Sequence, residues 1–265
     1  VTAFLDGLRV LVTRPVHQAD KLSQLVENAG GVPVRFPVLA IIGIENNFQA
    51  TNPLVNLSRY QWLIFTSANA VNFAVKAIGG KIQEFIGNSS GFKIASIGKA
   101  TADALNKFGL TPDLMPNHGF DSENLLLMPE FQTVDGISIL IVRGLGGREE
   151  LATILRERGA FVDYWEVYQR VLPNSDKTEV HELLSSNKLD CITITSTEAL
   201  QNLLVMIDDK NYQKTLFNLP LVVISNRIRK LAEEIGFKQI KVTENPSDQA
   251  ILDTIMAMKT EEYCG

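Results

Sequence analysis

Residues 162–173 read Val-Asp-Tyr-Trp-Glu-Val-Tyr-Gln-Arg-Val-Leu-Pro. β-Branched and aromatic side chains dominate this run and Pro173 closes it, which predicts a strand longer than the usual length of about five or six residues. A second extended run lies early in the chain at residues 32–42, Val-Pro-Val-Arg-Phe-Pro-Val-Leu-Ala-Ile-Ile. Pro33 and Pro37 have no N–H to give to a ladder, so this run belongs at a sheet edge or between two bodies. The two runs are expected to pair antiparallel as a two-stranded β bridge between two domains, with Tyr168 where the domains face each other.

Around these runs the chain alternates strand with helix. Apolar strands are expected at 8–13, 60–65 and 93–97, and amphipathic helices at 18–29, 68–78 and 101–108. Pro15 suits a first helical turn, while Gly30-Gly31, Gly79-Gly80 and Gly109 suit helix ends. Residues 45–53 form a polar loop, and 115–119 form another before a helix that starts near Asp121 or Ser122, with Ser122 as its cap. A helix after each strand is the pattern of a parallel α/β sheet with right-handed crossovers.

The second half repeats the first. Gly7-Leu8-Arg9-Val10-Leu11-Val12-Thr13-Arg14 matches Gly136-Ile137-Ser138-Ile139-Leu140-Ile141-Val142-Arg143, offset by 129 residues (143 − 14). Phe65-Thr66-Ser67-Ala68-Asn69-Ala70 matches Ile194-Thr195-Ser196-Thr197-Glu198-Ala199 at the same offset (196 − 67 = 129), and Ile97-Gly98 matches Ile224-Ser225 at 127 (225 − 98). Offsets this steady over three strand-turn-helix units indicate internal duplication. The expected fold is therefore α/β: two parallel-sheet, flavodoxin-like domains joined by the antiparallel bridge. Residues 1–36 and 172–265 would form a discontinuous first domain, and 37–171 an inserted second one.

With 265 residues, 45% of them hydrophobic, the chain can fill two cores. A net charge of −5 without a basic block argues against nucleic acid as partner. No apolar run approaches the roughly 18 residues that a membrane span needs, and residues 1–10 lack the apolar core of a signal peptide, so a cytoplasmic location is expected. Cys191 lies in an apolar strand and reads as a buried thiol rather than a nucleophile, and Cys264 falls in the terminal tail. His17, His118 and His181 are scattered, and no metal site is expected.

Ligands of open parallel sheets bind beyond the carboxyl ends of the strands. There the sequence puts Arg14, Thr66-Ser67, Gly98-Lys99, Arg143-Gly144, Thr195-Ser196 and Ser225-Asn226. Each begins or precedes a helix, whose first N–H groups and dipole favour phosphates or carboxylates. Bland readings compete. Ser67 and Ser196 are natural N-caps, worth about 1 kcal/mol each. Arg14 and Arg143 read equally as strand-end charges, and Tyr164 and Trp165 as packing. Thr101 has Ile228 as its repeat equivalent, which argues against a shared catalytic role. Gly144-Leu145-Gly146-Gly147-Arg148-Glu149 imitates a dinucleotide fingerprint, but Glu149 stands where the last glycine is needed.

Arg14-Pro15, the two Thr-Ser turns, Ile97-Gly98-Lys99-Ala100-Thr101-Ala102, Ser122-Glu123-Asn124-Leu125-Leu126, Arg143-Gly144 with Gly147-Arg148-Glu149, and Val167-Tyr168-Gln169-Arg170 together resemble the uroporphyrinogen-III synthase family. They occur in the family's order over nearly the whole chain, although Ser225-Asn226-Arg227-Ile228 departs from its Gly-x-x-Thr form. The resemblance implies a lyase without cofactor that closes hydroxymethylbilane, a linear tetrapyrrole, into uroporphyrinogen III with loss of water and inversion of the last ring. It implies Tyr168 as the catalytic residue, a neutral phenol donating a hydrogen bond to the departing hydroxyl. Substrate-binding roles follow for Arg14, Thr66, Ser67, Ala68, Asn69, Gly98, Lys99, Thr101, Arg143, Gly144, Arg148, Thr195, Ser196, Thr197, Ser225 and Asn226. The expected assembly is a monomer, with at most transient contact with the upstream bilane-forming enzyme. Two other classes share the fold: a clamshell that only binds a polyanion, and a nucleotide-sugar transferase.

Overall fold

Short apolar runs cut by glycine give short buried strands, and the computed structural model describes them within residues 4–44, 57–80, 91–117, 119 and 121–264, with side chains to 260. The polar loop at 45–53, His118 and the Cys264 side chain lie outside the described residues. The first elements are β1 (Arg9–Val12), α1 (Val16–Asn28), β2 (Val32–Arg35), β3 (Ala40–Gly43), β4 (Trp62–Phe65), α2 (Ala68–Ala77), β5 (Lys93–Ser96) and α3 (Lys99–Lys107). Then come α4 (Ser122–Leu126), α5 (Pro129–Gln132), β6 (Ser138–Gly144), α6 (Glu150–Glu157) and β7 (Phe161–Val171). The remainder is α7 (Thr178–Ser185), β8 (Cys191–Ile194), α8 (Thr197–Met206), α9 (Lys210–Leu216), β9 (Pro220–Val223), α10 (Asn226–Ile235), β10 (Gln239–Val242) and α11 (Asp248–Cys264).

The chain divides into two units, Val1–Ala40 with Val171–Gly265, and Ile41–Arg170. In the first, the sheet order is β10-β9-β8-β1-β2 and every neighbouring pair is parallel. Counted along the chain this is the 2-1-3-4-5 order of flavodoxin-like sheets. Alternation divides its side chains between two cores. Leu11, Ile192, Ile194, Leu221 and Val223 pack with the apolar faces of α7 to α10, and Val10, Val12, Cys191 and Val222 pack with α1 and α11. Burial pushes the Cys191 thiol up to about 12, so this cysteine is packing and no nucleophile.

The second sheet runs β3-β7-β6-β4-β5, with β7, β6, β4 and β5 successively parallel. Leu63, Phe65, Leu140 and Val142 face α2 and α3. Trp62, Ile64, Ile139 and Ile141 face α4, α5 and α6. The sequence repeat maps directly onto these sheets: β6, β7, β4 and β5 stand where β1, β2, β8 and β9 stand in the first unit. A parallel bridge between Ala95 and Leu114 occupies the place of β10. The second sheet is thus the first one with its strands entered in a permuted order.

One expectation is overturned. The run at 32–42 is not a single strand pairing with 162–171, because residues 32–35 are β2, parallel to β1 from Arg9↔Val32 to Val12↔Arg35. The backbone N–H groups of Val32 and Phe36 donate to the Leu8 and Val12 carbonyls at 2.8 and 3.0 Å, which turns Pro33 to the outer edge, where a missing N–H costs nothing. Val34, Phe36 and Val38 are buried in the first unit's core, and the strand breaks around Pro37. Only its tail, β3, lies beside β7, with the Ile44 N–H donating to the Val167 carbonyl at 3.1 Å. Two smaller differences concern caps. Pro15 is the N-cap of α1 rather than its first turn, and Asp121, not Ser122, caps α4 by accepting from the Asn124 N–H.

Candidate active site

The carboxyl ends of β4, β5 and β6 share one edge of the second sheet because those strands are parallel. Beyond β4, Thr66 donates its hydroxyl to the Val142 carbonyl at 3.2 Å. Ser67 leaves the strand in extended conformation (φ −165°, ψ 161°) and caps α2, its Oγ accepting from the Ala70 N–H at 3.0 Å. Ala68 and Asn69 form the first turn of that helix. Gly98, buried, caps α3 without a side chain, Lys99 follows with Asp103 one turn on at 3.0 Å, and Thr101 is buried in the same turn.

Tyr168 reaches this edge through an irregularity. Val162 and Tyr164 face one core and Trp165 and Val167 the other, so strict alternation would send Tyr168 to the first. The ladder slips between Arg143, opposite Glu166, and Gly144, opposite Tyr168. That bulge puts Val167 and Tyr168 on the same face, within the α2 and α3 core. The Tyr168 ring lies on Gly144, where a Cβ would come within 2.5 Å of it. Phe73 of α2 flanks the ring with centroids 5.6 Å apart. The phenol, 5% exposed, stands 3.3 Å from Ser67 Oγ.

Arg143 holds the loop beside it. Only 4% exposed, its guanidinium donates to the carbonyls of Gly147 at 2.6 Å, Gly144 at 3.2 Å and Arg148 at 3.4 Å, and to Glu149 Oε1 at 2.8 Å. It also stacks 4.4 Å from the Tyr164 ring centre. Tyr164 donates to the other Glu149 oxygen at 2.5 Å, and this bond, together with the Arg143 contact, holds the Glu149 carboxyl below its ordinary range. Glu149 therefore occupies the fingerprint's last glycine position as the clamp on Arg143. Arg148 is exposed, with the Glu123 carboxylate 3.8 Å away.

In the first unit the equivalent edge carries Arg14, Thr195, Ser196, Thr197, Ser225 and Asn226. Ser196 caps α8, accepting from the Ala199 N–H at 3.0 Å, and Ser225 caps α10, accepting from the Ile228 N–H at 3.4 Å. Thr195 and Thr197 are half-buried around the α8 cap, and Asn226 opens α10. Arg14 is 15% exposed and pairs with Asp248 at 2.5 Å, while its Nε is buried with no hydrogen-bond partner among the described residues. The two repeat-related arginines thus differ: Arg143 has its nitrogens engaged by a loop, and Arg14 keeps one unengaged. Sequence reasoning missed Asp248, Phe73 and the clamp role of Glu149. Asp248 lies far from Arg14 along the chain and carries no local signal; Phe73, one turn and a half into a helix opened by Ser67, could have been read as facing the strand it follows.

Helix N-termini at one strand edge suit an anionic ligand in each unit, and a buried phenol whose hydrogen-bond neighbour among the described residues is Ser67 suits hydrogen-bond donation. The family model described as uroporphyrinogen-III synthase HemD matches residues 20–253. The uroporphyrinogen-III synthase of Escherichia coli (strain K12) is 32% identical over 245 residues, covering 92% of this chain and 98% of its own. Among solved structures, a mutant uroporphyrinogen III synthase from the extremely thermophilic bacterium Thermus thermophilus aligns with a TM-score of 0.60 at 19% identity, over 98% of this chain and 100% of its own. The uroporphyrinogen-III synthetase of Helicobacter pylori 26695 aligns with a TM-score of 0.61 at 16% identity, over 95% and 99%. The structural likeness speaks for the fold; the sequence match over nearly the full length of both chains carries the assignment, and the chain belongs to the uroporphyrinogen-III synthase family.

Proposed function

We propose that this protein converts hydroxymethylbilane into uroporphyrinogen III as a cyclising lyase, with Tyr168 as its hydrogen-bond donor. The observation that carries the reading is the Tyr168 phenol, turned by the Gly144 bulge to the strand edge where Ser67 opens α2. In the reaction the pyrrole nitrogen's lone pair expels the terminal hydroxyl; the C–O electron pair leaves with oxygen, the nitrogen gives up its proton, and the sum is water. The electron-poor azafulvene left behind is attacked by the substituted carbon of the last ring, and the resulting spiro intermediate opens and recloses with that ring inverted. A phenol aimed at the leaving oxygen stabilises the charge that develops there. The enzyme's larger task is to hold the chain curled for that attack and to exclude the unassisted closure, which leaves the ring uninverted.

The substrate's acetate and propionate arms suit the N-termini of α2, α3, α8 and α10 and the Arg14 guanidinium. Gly98, Lys99, Thr101, Thr195, Ser196, Thr197, Ser225 and Asn226 are proposed to contribute through those helix starts, as are Thr66, Ala68 and Asn69. Arg143 and Gly144 are proposed to shape the loop that carries Arg148. A monomer suffices for this chemistry, and handover from the enzyme that makes the linear bilane would be transient.

The test is to add the protein to freshly generated hydroxymethylbilane, oxidise the products and separate the type I and type III isomers. Predominantly type III product is expected; a mixture matching the protein-free control would sink the proposal. A second expectation concerns capture. Arg14→Lys, which keeps the charge but loses the guanidinium's second donor edge, should raise KM about tenfold with kcat within about twofold, as expected for a contact that strengthens substrate and transition state alike. An unchanged KM would remove Arg14 from the binding set.

A further inference from the structure

We infer that Ser67 is a positioning residue for Tyr168, acting through the phenol rather than on the substrate's anionic arms. The inference rests on the proposed donor role of Tyr168. A serine hydroxyl has one proton and two lone pairs. The Ala70 N–H occupies one lone pair of Ser67 Oγ at 3.0 Å, a bond that fixes the oxygen and leaves the hydroxyl proton free to turn. The second neighbour of that oxygen is Tyr168 Oη at 3.3 Å, and either atom can be the donor between them. Among the described residues, Tyr168 Oη has no other hydrogen-bond partner.

The pair therefore has two arrangements. With no ligand the phenol can donate its hydrogen bond to Ser67 Oγ. When the phenol instead donates outward to a leaving hydroxyl, the Ser67 proton can swing onto Oη, compensating the charge that gathers on the phenol oxygen. No proton changes owner in this exchange; only the direction of one hydrogen bond reverses. The remaining contacts of the ring restrain its plane without touching the oxygen's proton: Gly144 lies under it and Phe73 beside it. Among the described residues, Ser67 is the polar group that can set where that proton points. The equivalent serine, Ser196, caps α8 with the same 3.0 Å bond. No phenol is bonded to it among the described residues, so capping alone does not require the second contact.

The experiment compares kcat and KM for Ser67→Ala, Ser67→Gly and Ser67→Thr, each also made on Tyr168→Phe. Loss of one neutral hydrogen bond to the reacting phenol should lower kcat about 3- to 10-fold, with KM within about twofold. Ser67→Gly separates this from capping, because glycine is nearly as good an N-cap as serine. Its kcat should fall as in Ser67→Ala while its melting temperature stays near that of the unaltered protein. Ser67→Thr keeps the hydroxyl and should restore kcat to within about twofold. On Tyr168→Phe, removal of the Ser67 hydroxyl should have no further effect. Asp209→Ala removes the cap of α9, where Asp209 accepts from the Asn211 N–H at 2.7 Å, and should lower stability alone.

A raised KM with unchanged kcat in Ser67→Ala and Ser67→Gly would make Ser67 a substrate contact and overturn the inference, as would the same kcat loss on the Tyr168→Phe background. If Tyr168→Phe itself turns over normally, it is the donor role of Tyr168 that falls, a result distinct from either.

Discussion

Tyr168→Phe is expected to lower kcat by about 100-fold or more, the usual weight of one well-placed proton-donating group. The substitution removes an oxygen and little else. The ring keeps its seat on Gly144 and its contact with Phe73, and Ser67 keeps its bond to the Ala70 N–H, so stability should change by no more than about 1 kcal/mol. KM should stay within about twofold, because the phenol acts on charge that develops only as the C–O bond breaks. The isomer ratio offers an independent reading. Hydroxymethylbilane closes unaided without inversion, so slowed turnover should let the type I isomer accumulate in proportion to the time that substrate waits. A quenched time course with isomer separation measures both quantities, and undiminished kcat would exclude Tyr168 as the donor.

Gly144→Ala should be nearly as damaging by a different route. The added Cβ would meet two Tyr168 ring carbons at 2.5 Å and the phenolic oxygen at 2.9 Å. Neither side can yield easily, since the ring is flanked by Phe73 and the Gly144 backbone is fixed in the bulged ladder. Overpacking of this kind costs about 1–3 kcal/mol, which urea unfolding would measure. Whatever relief occurs must move the phenol, and a shift near 1 Å in a reacting group can cost about 100-fold in rate. Pairing Gly144→Ala with Tyr168→Leu should return the lost stability but none of the activity. Full activity in Gly144→Ala would mean that the ring's seat does not govern the chemistry.

The duplication was legible because three strand-turn-helix units repeat at nearly constant offsets, and it led to the two parallel sheets. The caps were legible for the same reason: Ser67, Ser196 and Ser225 all stand one residue before a helix, accepting from the N–H three residues on. The run at 32–42 was misread because strand propensity is local while pairing is not. Nothing within that run says that β1 would claim its first half. The bulge at Arg143 and Gly144 was equally hidden, since alternation in the sequence put Tyr168 on the opposite face. Arg143 and Arg14 looked alike as repeat equivalents, and their difference lies in partners, Glu149 six residues away and Asp248 in the last helix. Lys99 and Arg148, by contrast, are exposed.

The permuted strand order bears on how the chain acquires its structure during synthesis. The unit spanning Ile41–Arg170 is continuous, so each strand of its sheet has left the ribosome soon after residue 170 is added. The other unit is not. β1 and β2 are made first, but the central neighbour of β1 is β8, whose register pairs Val10 with Cys191. Between those residues the entire other unit must be translated. At a pace of about 5–20 residues per second, the apolar edge of β1 waits roughly 10–35 seconds for its partner. The early parallel pair of β1 and β2 is therefore exposed to edge-to-edge association while it waits, with the proline-marked outer edge of β2 the side already blunted against it.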